Sequence, residues 1–407
     1  MLLNLFFGEG FMLRGYKRTI GASFLGYITQ AIMINFPPLL FYFFKDDFGI
    51  STSQVSFLIA FNFVTELIVD LVASRYAPKI GYRKLVILAD LCAILGLFSM
   101  YFLPLVLPKV PYFALCFSMM LCGIGGGLME VLISPIVEAC PTKNKSGMMS
   151  LLHSFYCWGQ FGVVLISTLL FLVFDIENWG ILALLWTLVP FLDLFMFIGA
   201  PIYTLTAEGQ EKKPRELVKS KMFWIFIVMM MCAGASELTM SQWASSFAEE
   251  ALGVSKWLGD LLGPCLFALA MALTRVFFAK FGEKIKLERG LMISSVICIF
   301  SYLLAILAPE GFEILSLIGC SLCGVGCGLM WPGTFSIASR REPLGGVFMF
   351  GMFALAGDFG CLAGPFLGGQ VSSIFGDNLK VGFVFALIFP IIMLVASLYL
   401  LLKKESK

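Results

Sequence analysis

Leu121–Pro141 reads LCGIGGGLMEVLISPIVEACP, an apolar helix long enough to cross a bilayer with a bare carboxylate near its middle. At helical spacing, Gly123, Gly127, Glu130, Ser134 and Glu138 fall on one stripe. The small residues of that stripe let a neighbouring helix come close. Placing a carboxylate such as Glu130 at mid-membrane costs about 2.5–3.5 kcal/mol, so it is expected to face a wet cavity or a partner. The stretch also recurs. LCGIGGGLM at 121–129 returns as LCGVGCGLM at 322–330, identical at seven of nine positions and offset by 201 residues. A long internal repeat is the trace left by membrane proteins built from two halves.

Composition agrees. The chain of 407 residues is 59% hydrophobic and 13% charged, with a mean hydropathy of +0.94. A soluble domain carries about 25% charged residues, so this is an integral membrane protein whose partner is the lipid bilayer. No nucleic-acid partner and no cofactor is expected. The twelve cysteines lie in or at the ends of apolar segments, where Cys acts as a small hydrophobe. Cys320, Cys323 and Cys327 have a spacing that a metal can use, but no other Cys or His lies near them in sequence. Helix packing, with no metal site, is therefore the expectation. At the start, MLLNLFFGEG puts apolar residues ahead of Arg14, Lys17 and Arg18, the reverse of a secretory leader, and Met12 is an equally good start.

Apolar windows of about 20 residues predict twelve spans. They cover 19–44, 52–74, 85–107, 112–140, 148–174 and 181–204, then 222–248, 257–281, 290–308, 312–339, 345–374 and 380–402. Thr206–Lys221, TAEGQEKKPRELVKSK, is the longest polar stretch and divides them. The expected organisation is an N-terminal segment 1–18, a six-helix bundle 19–204, a linker 205–221, a second bundle 222–402 and a tail 403–407. With the N-terminus inside, 24 of the 28 Lys and Arg residues fall on the inner side, leaving out Lys45, Lys109, Lys256 and Lys380. This bias predicts cytoplasmic N- and C-termini. The offset of 201 also pairs Lys79-Ile-Gly81 with Lys280-Phe-Gly282, so the two bundles run in the same direction. The fold class is all-α: twelve transmembrane helices in two parallel six-helix bundles.

On this organisation the chain resembles the major facilitator superfamily along its whole length. Asp70, Arg75, Gly81 and Arg83 resemble, at longer spacing, that superfamily's loop signature after the second helix. The resemblance implies a conformational latch, with Asp70 at the inner end of that helix paired to Arg75 or to a helix N-terminus. Within the superfamily the chain is similar to the fucose, glucose and galactose symporters. The likeness rests on the glycine-rich fourth span with Glu130 and Ser134-Pro135, then His153-Ser154-Phe155 and Gly159 on the fifth. It implies that Glu130 is a protonatable coupling residue and that His153 meets sugar. Ser134 and His153 stand where those proteins carry amides, and the first span offers Gln30 and Asn35 but no carboxylate.

Read residue by residue, Glu66, Glu130, Asp193, Glu237 and Asp358 lie inside spans, whereas no Lys or Arg is expected well inside one. An ionised acid without a counter-ion is costly in low dielectric. Such a group holds a proton and hydrogen-bonds, or exchanges protons or binds a cation as the cavity opens. Glu130, Glu237 and Asp358 are the coupling candidates, while Asp193, on a peripheral span, is expected to be structural. A polar and aromatic set is expected to line the solute site: Gln30, Asn35, Ser134, His153, Trp158, Gln160, Ser241, Gln242, Trp243 and Trp331. Aromatic faces cover the C–H surfaces of sugars while amides and carboxylates bond their hydroxyls. Pro37-Pro38, Pro332 and Pro365 are expected to bend or break their helices. Gly259-Asp260 lacks a second motif Asp, and no nucleophile–base pair or metal motif is present, so an enzyme is not expected.

The sequence therefore predicts a monomeric secondary transporter of the inner membrane. It takes up a small neutral solute, a monosaccharide, with protons by alternating access. The alternatives are a proton-coupled exporter of cationic or amphiphilic compounds and a sodium-coupled sugar carrier.

Overall fold

Apolar backbone in a bilayer has no water to bond, so each span closes its own hydrogen bonds as a helix. The computed structural model describes residues 15–40, 44, 47–50, 52–173, 179–203, 212–252, 263, 265–307, 313–375 and 379–403. Among these, all regular structure is helical. The first six long helices are α1 (Tyr16–Leu39), α2 (Thr52–Ile80), α3 (Tyr82–Val106), α4 (Pro111–Ala139), α5 (Lys145–Val173) and α6 (Trp179–Ile198). After a single turn at Pro214–Leu217 come α7 (Lys221–Leu252), α8 (Leu266–Phe281) and α9 (Leu287–Leu307). The tenth is split into α10a (Glu313–Cys327) and α10b (Met330–Arg341), then α11 (Gly346–Ile374) follows, and the twelfth is α12a (Leu379–Ala386) with α12b (Ile388–Leu402). Ten of the twelve are long and apolar enough to cross a membrane by length and composition alone. The other two are α2, which carries Glu66 and Asp70 mid-helix, and α8, of which 16 residues are described.

The repeat seen in sequence is a repeat of packing. In the first half α1 packs on α4, α5 and α6, α2 on α4, and α3 on α4 and α6. In the second half the same contacts recur with every number raised by six: α7 on α10, α11 and α12, α8 on α10, and α9 on α10 and α12. The halves meet through α2 with α11, α5 with α8, α4 with α11 and α5 with α10, a set that maps onto itself under the same shift. This is the pseudo-twofold relation of two parallel six-helix bundles.

The start of α1, the end of α12b and the described part of the linker gather at one end of the bundle. Thr19 donates to the Pro201 carbonyl, Lys212 pairs with Glu342, Ser220 donates to Glu342, and Arg341 donates to the Leu400 carbonyl. Arg18 and Arg83 both fork onto carbonyls at the end of α6, Arg18 onto Phe195 and Met196 and Arg83 onto Phe197, Ile198 and Ala200. Carbonyls at a helix end run out of helical donors, and a cation suits that end of the helix dipole. Arg83 thus serves as a cap within its own half. Gly81 has φ 98°, a left-handed turn that a side chain would strain, and it carries the chain from α2 straight into α3.

Candidate functional site

The glycine stripe of α4 sets the site. Gly126 and Gly127 lie directly on Glu66 and Asp70 of α2, where an added Cβ would come within 2.7 and 2.9 Å of their carboxylate oxygens. Further along α4, Glu130 accepts a hydrogen bond from Gln30 of α1. One turn later Ser134 meets the Tyr27 hydroxyl of α1 at 2.7 Å and His153 Nε2 of α5 at 3.2 Å. Tyr27 and Gln30 are one turn apart on α1, and Ser134 and Glu130 are one turn apart on α4. Two antiparallel helices thus present matching rungs. The His153 ring lies between Tyr27 (centroids 5.0 Å) and Phe335 of α10b (5.7 Å), so it touches both halves.

Contacts between the halves run from the linker end up to this level. Glu138 accepts from Ser339 at 2.9 Å, and these residues are equivalent under the 201-residue repeat. Ser150 donates to the Arg275 carbonyl at 2.8 Å, and Asn144 donates to that of Ala279 at 3.4 Å. Gly351 of α11 sits on Ser74 of α2 and Val131 of α4. Deeper, the Asp70 and Asp358 carboxyls face one another across α2 and α11 at hydrogen-bonding range. Asp70 lies ten residues before the end of α2, about 15 Å inside it, rather than at its mouth. Arg75 is exposed, so the expected Asp70–Arg75 latch is replaced by an acid–acid contact between the halves.

One expectation is overturned outright. A cation does lie deep inside a span: Arg275 of α8 is 2% exposed. Its Nε donates to the Gly328 carbonyl at 2.9 Å, and its Nη1 donates to the His153 carbonyl at 2.8 Å and to Cys157 Sγ at 2.9 Å. Its Nη2 meets Glu237 of α7 at 3.4 Å, so Glu237 has a counter-ion. The Gly328 carbonyl is free to accept because its helical partner would be residue 332, a proline without an N–H. Pro332 thereby opens α10 at Gly328–Leu329, and Arg275 takes the released carbonyl. The sequence signal was present: apolar residues continue past Arg275 to Ala279, which puts the helix end at Lys280.

Glu66, Asp70, Glu130 and Asp358 form no salt bridge among the described residues. Glu66, Asp70 and Asp358 each keep at least one buried oxygen without a hydrogen-bond partner. Asn35 is half-buried and donates to its own helix at Ala31. Trp158 and Gln160 are half-buried on α5, and the Trp158 indole N–H has no partner. Ser241 is buried one turn beyond Glu237 on α7, and Trp331 packs on Gly357 of α11. The side chains of Gln242 and Trp243 lie outside the described residues. Asp193 is fully buried within the first half, against Gly26 of α1 and at hydrogen-bonding range of Asp90 of α3. Asp90 was missed because it sits two turns from the basic start of its span and reads as a helix-end acid.

Paired parallel bundles, a polar site between them and mid-membrane carboxyls are the parts of an alternating-access carrier. The sequence profile described as Major Facilitator Superfamily matches residues 19–345 and 265–407. The chain belongs to the major facilitator superfamily. As a member it is a multi-pass membrane transporter rather than an enzyme. Among solved structures it is similar to a variant of the E. coli fucose:proton symporter FucP, with a TM-score of 0.78 and 13% identity over 95% of this chain and 99% of that one. It is also similar to FucP in the outward conformation, with a TM-score of 0.77 and 13% identity over 93% and 98% of the two chains. The proton:xylose symporter XylE bound to 6-bromo-6-deoxy-D-glucose gives a TM-score of 0.77 and 14% identity over 94% of each chain. At such identities the shared property is the fold. No curated protein matches the sequence.

Proposed function

We propose that this superfamily member takes up a small neutral solute, a monosaccharide, in symport with protons across the inner membrane, with its linker end in the cytoplasm. The observation that carries the reading is the Gln30–Glu130 hydrogen bond between α1 and α4, which sets a solute-binding amide against a carboxyl that forms no salt bridge among the described residues. Glu130 takes its proton while the site faces outward, and the solute binds beside it among Gln30, Asn35, Trp158 and Trp331. Rocking of the halves then opens the linker end, where solute and proton leave. Two of the structurally similar proteins carry fucose and xylose with protons, which supports a sugar as cargo.

The test is a panel of monosaccharides, first as thermal-shift ligands and then in proteoliposomes with an inward proton gradient. A sugar that stabilises the protein is expected to accumulate above its outside concentration only when the gradient is present. Glu130→Gln is expected to abolish that accumulation while leaving solute exchange. Gradient-driven accumulation by Glu130→Gln removes the coupling role. Stabilisation by lipophilic cations and by no sugar turns the reading to an exporter.

A further inference from the structure

Three cysteine sulfurs meet in the second half at a place the solute site does not use. Cys323 and Cys327 are one turn apart on α10a, and Cys298 faces them from α9. Their sulfurs are 3.7 Å (Cys298–Cys323), 3.8 Å (Cys298–Cys327) and 3.8 Å (Cys323–Cys327) apart, and all three residues are fully buried. The centre of this nearly equilateral triangle lies about 2.2 Å from each sulfur (the mean side divided by √3), against about 2.3 Å for a zinc–thiolate bond. We propose that Cys298, Cys323 and Cys327 bind one soft metal ion, Cu(I), in trigonal thiolate coordination.

Two observations separate this from packing by small side chains. Helix crossing alone does not call for three sulfurs. Gly326 brings α10a onto Cys298, where an added Cβ would come within 2.7 Å of the Cys298 nitrogen. At the same joint of the first half, Gly125 lies on Ala89 and Ala93, and the flanking α4 positions are Cys122 and Gly126. That joint closes with Ala, Cys and Gly where the second half has three cysteines. Hydrogen bonding differs as well. Cys140 and Cys157 donate one turn back to the carbonyls of Ile136 and His153, as isolated helical thiols do. Cys298, Cys323 and Cys327 instead have one another as their hydrogen-bonding partners among the described residues.

The donor set selects the ion. Three soft sulfurs come together with no His or carboxylate at ligand distance among the described residues. Zn(II) needs a fourth ligand for its tetrahedron, whereas Cu(I) accepts soft thiolates at lower coordination number. Each Cu–S bond replaces an S–H bond and releases its proton to solvent, while the copper stays Cu(I). A trithiolate site is then anionic, and Arg275, bonded to the Gly328 carbonyl next to Cys327, sets a guanidinium nearby. Because Cys327 ends α10a at the break before Met330, the ion ties α9 to the hinge of α10.

The experiment titrates reduced, metal-free protein in detergent with Cu(I) against bathocuproine disulfonate, and records X-ray absorption of the loaded protein. One Cu(I) per chain is expected, with three sulfurs at about 2.2–2.3 Å. Loss of even an outer-shell group costs 10–100-fold in metal affinity, so Cys298→Ala, Cys323→Ala and Cys327→Ala are each expected to weaken binding by on the order of 100-fold or more. Cys232→Ala and Cys361→Ala serve as controls and keep it. Failure to compete for Cu(I), binding that survives the three substitutions, or two-sulfur coordination each overturns the proposal. If a variant loses monodisperse elution, the sulfur count in the unaltered protein decides alone.

Discussion

An Arg275→Met variant is expected to lose transport and to melt well below the unaltered protein. Arg275 is bonded to α5, α7 and α10 at once, through His153, Cys157, Glu237 and Gly328. Methionine keeps the unbranched stem of the side chain and removes every donor. The Glu237 carboxylate is left without its cation, and the Gly328 carbonyl, freed by Pro332, is left without a donor. Removing one partner of a buried ion pair costs about 3–5 kcal/mol, because the other charge stays behind uncompensated. Adding Glu237→Gln is expected to recover part of that loss, since the stranded charge goes with it. A double-mutant cycle reads the coupling directly, and a value within about 0.5 kcal/mol of zero would mean the pair does not interact.

The same side chain holds the halves together, which gives a second readout. Its bonds to His153 and Cys157 cross from α8 to α5, while Ser150 returns a bond to its carbonyl. Hydrogen exchange is expected to quicken in residues 145–157 of Arg275→Met and to stay unchanged in α3 and α6, which lie on the far side of the first half. Arg275→Lys keeps the charge but cannot fork onto several acceptors, so it is expected to retain stability better than transport. Unchanged melting and transport in Arg275→Met would show that the cation is an accessory.

The fold was legible because its signals are local. Runs of apolar residues mark spans, and LCGIGGGLM with its echo 201 residues later marks two like halves. The stripe on α4 was also legible, because residues three and four apart share a face wherever the helix sits. What a face meets is a property of the assembled bundle. Glu130 finds Gln30, Ser134 finds Tyr27 and His153, and Glu138 finds Ser339, and no spacing in the chain announces any of these partners. Tyr27 was passed over because one tyrosine in an apolar span looks like packing. Arg275 was misplaced for a different reason. An arginine six residues from a helix end ordinarily reaches water along its stem, and only the carbonyl released by Pro332 and the nearby Glu237 turn it inward.

Raising the pH is expected to drive the linker end open, and Asp358→Asn is expected to abolish that response. In the linker-closed arrangement Asp70 and Asp358 touch across the two halves, with Glu66 and Glu130 as the nearest other carboxyls. Arg275, engaged with Glu237, is the cation felt at Glu130. Two carboxyls in contact are held together by a shared proton and pushed apart when both ionise. At 4 Å and an effective dielectric of 20, that repulsion is about 4 kcal/mol, which corresponds to roughly a thousandfold in the ratio of open to closed. The sign follows. Protonation favours contact, and deprotonation favours separation of α2 from α11. Spin labels on the exposed residues Ile80 and Leu344, one in each half near the linker end, report the separation. In the unaltered protein their distance is expected to lengthen as pH rises. In Asp358→Asn, and in Asp70→Asn, one member of the pair no longer ionises, so the distance is expected to stay short at every pH. Transport by these variants then fails at the opening step while solute binding persists, which separates them from Glu130→Gln, where opening continues without accumulation. A distance that ignores pH in the unaltered protein, or one that still lengthens in Asp358→Asn, would remove the acid pair as the device that couples proton release to opening.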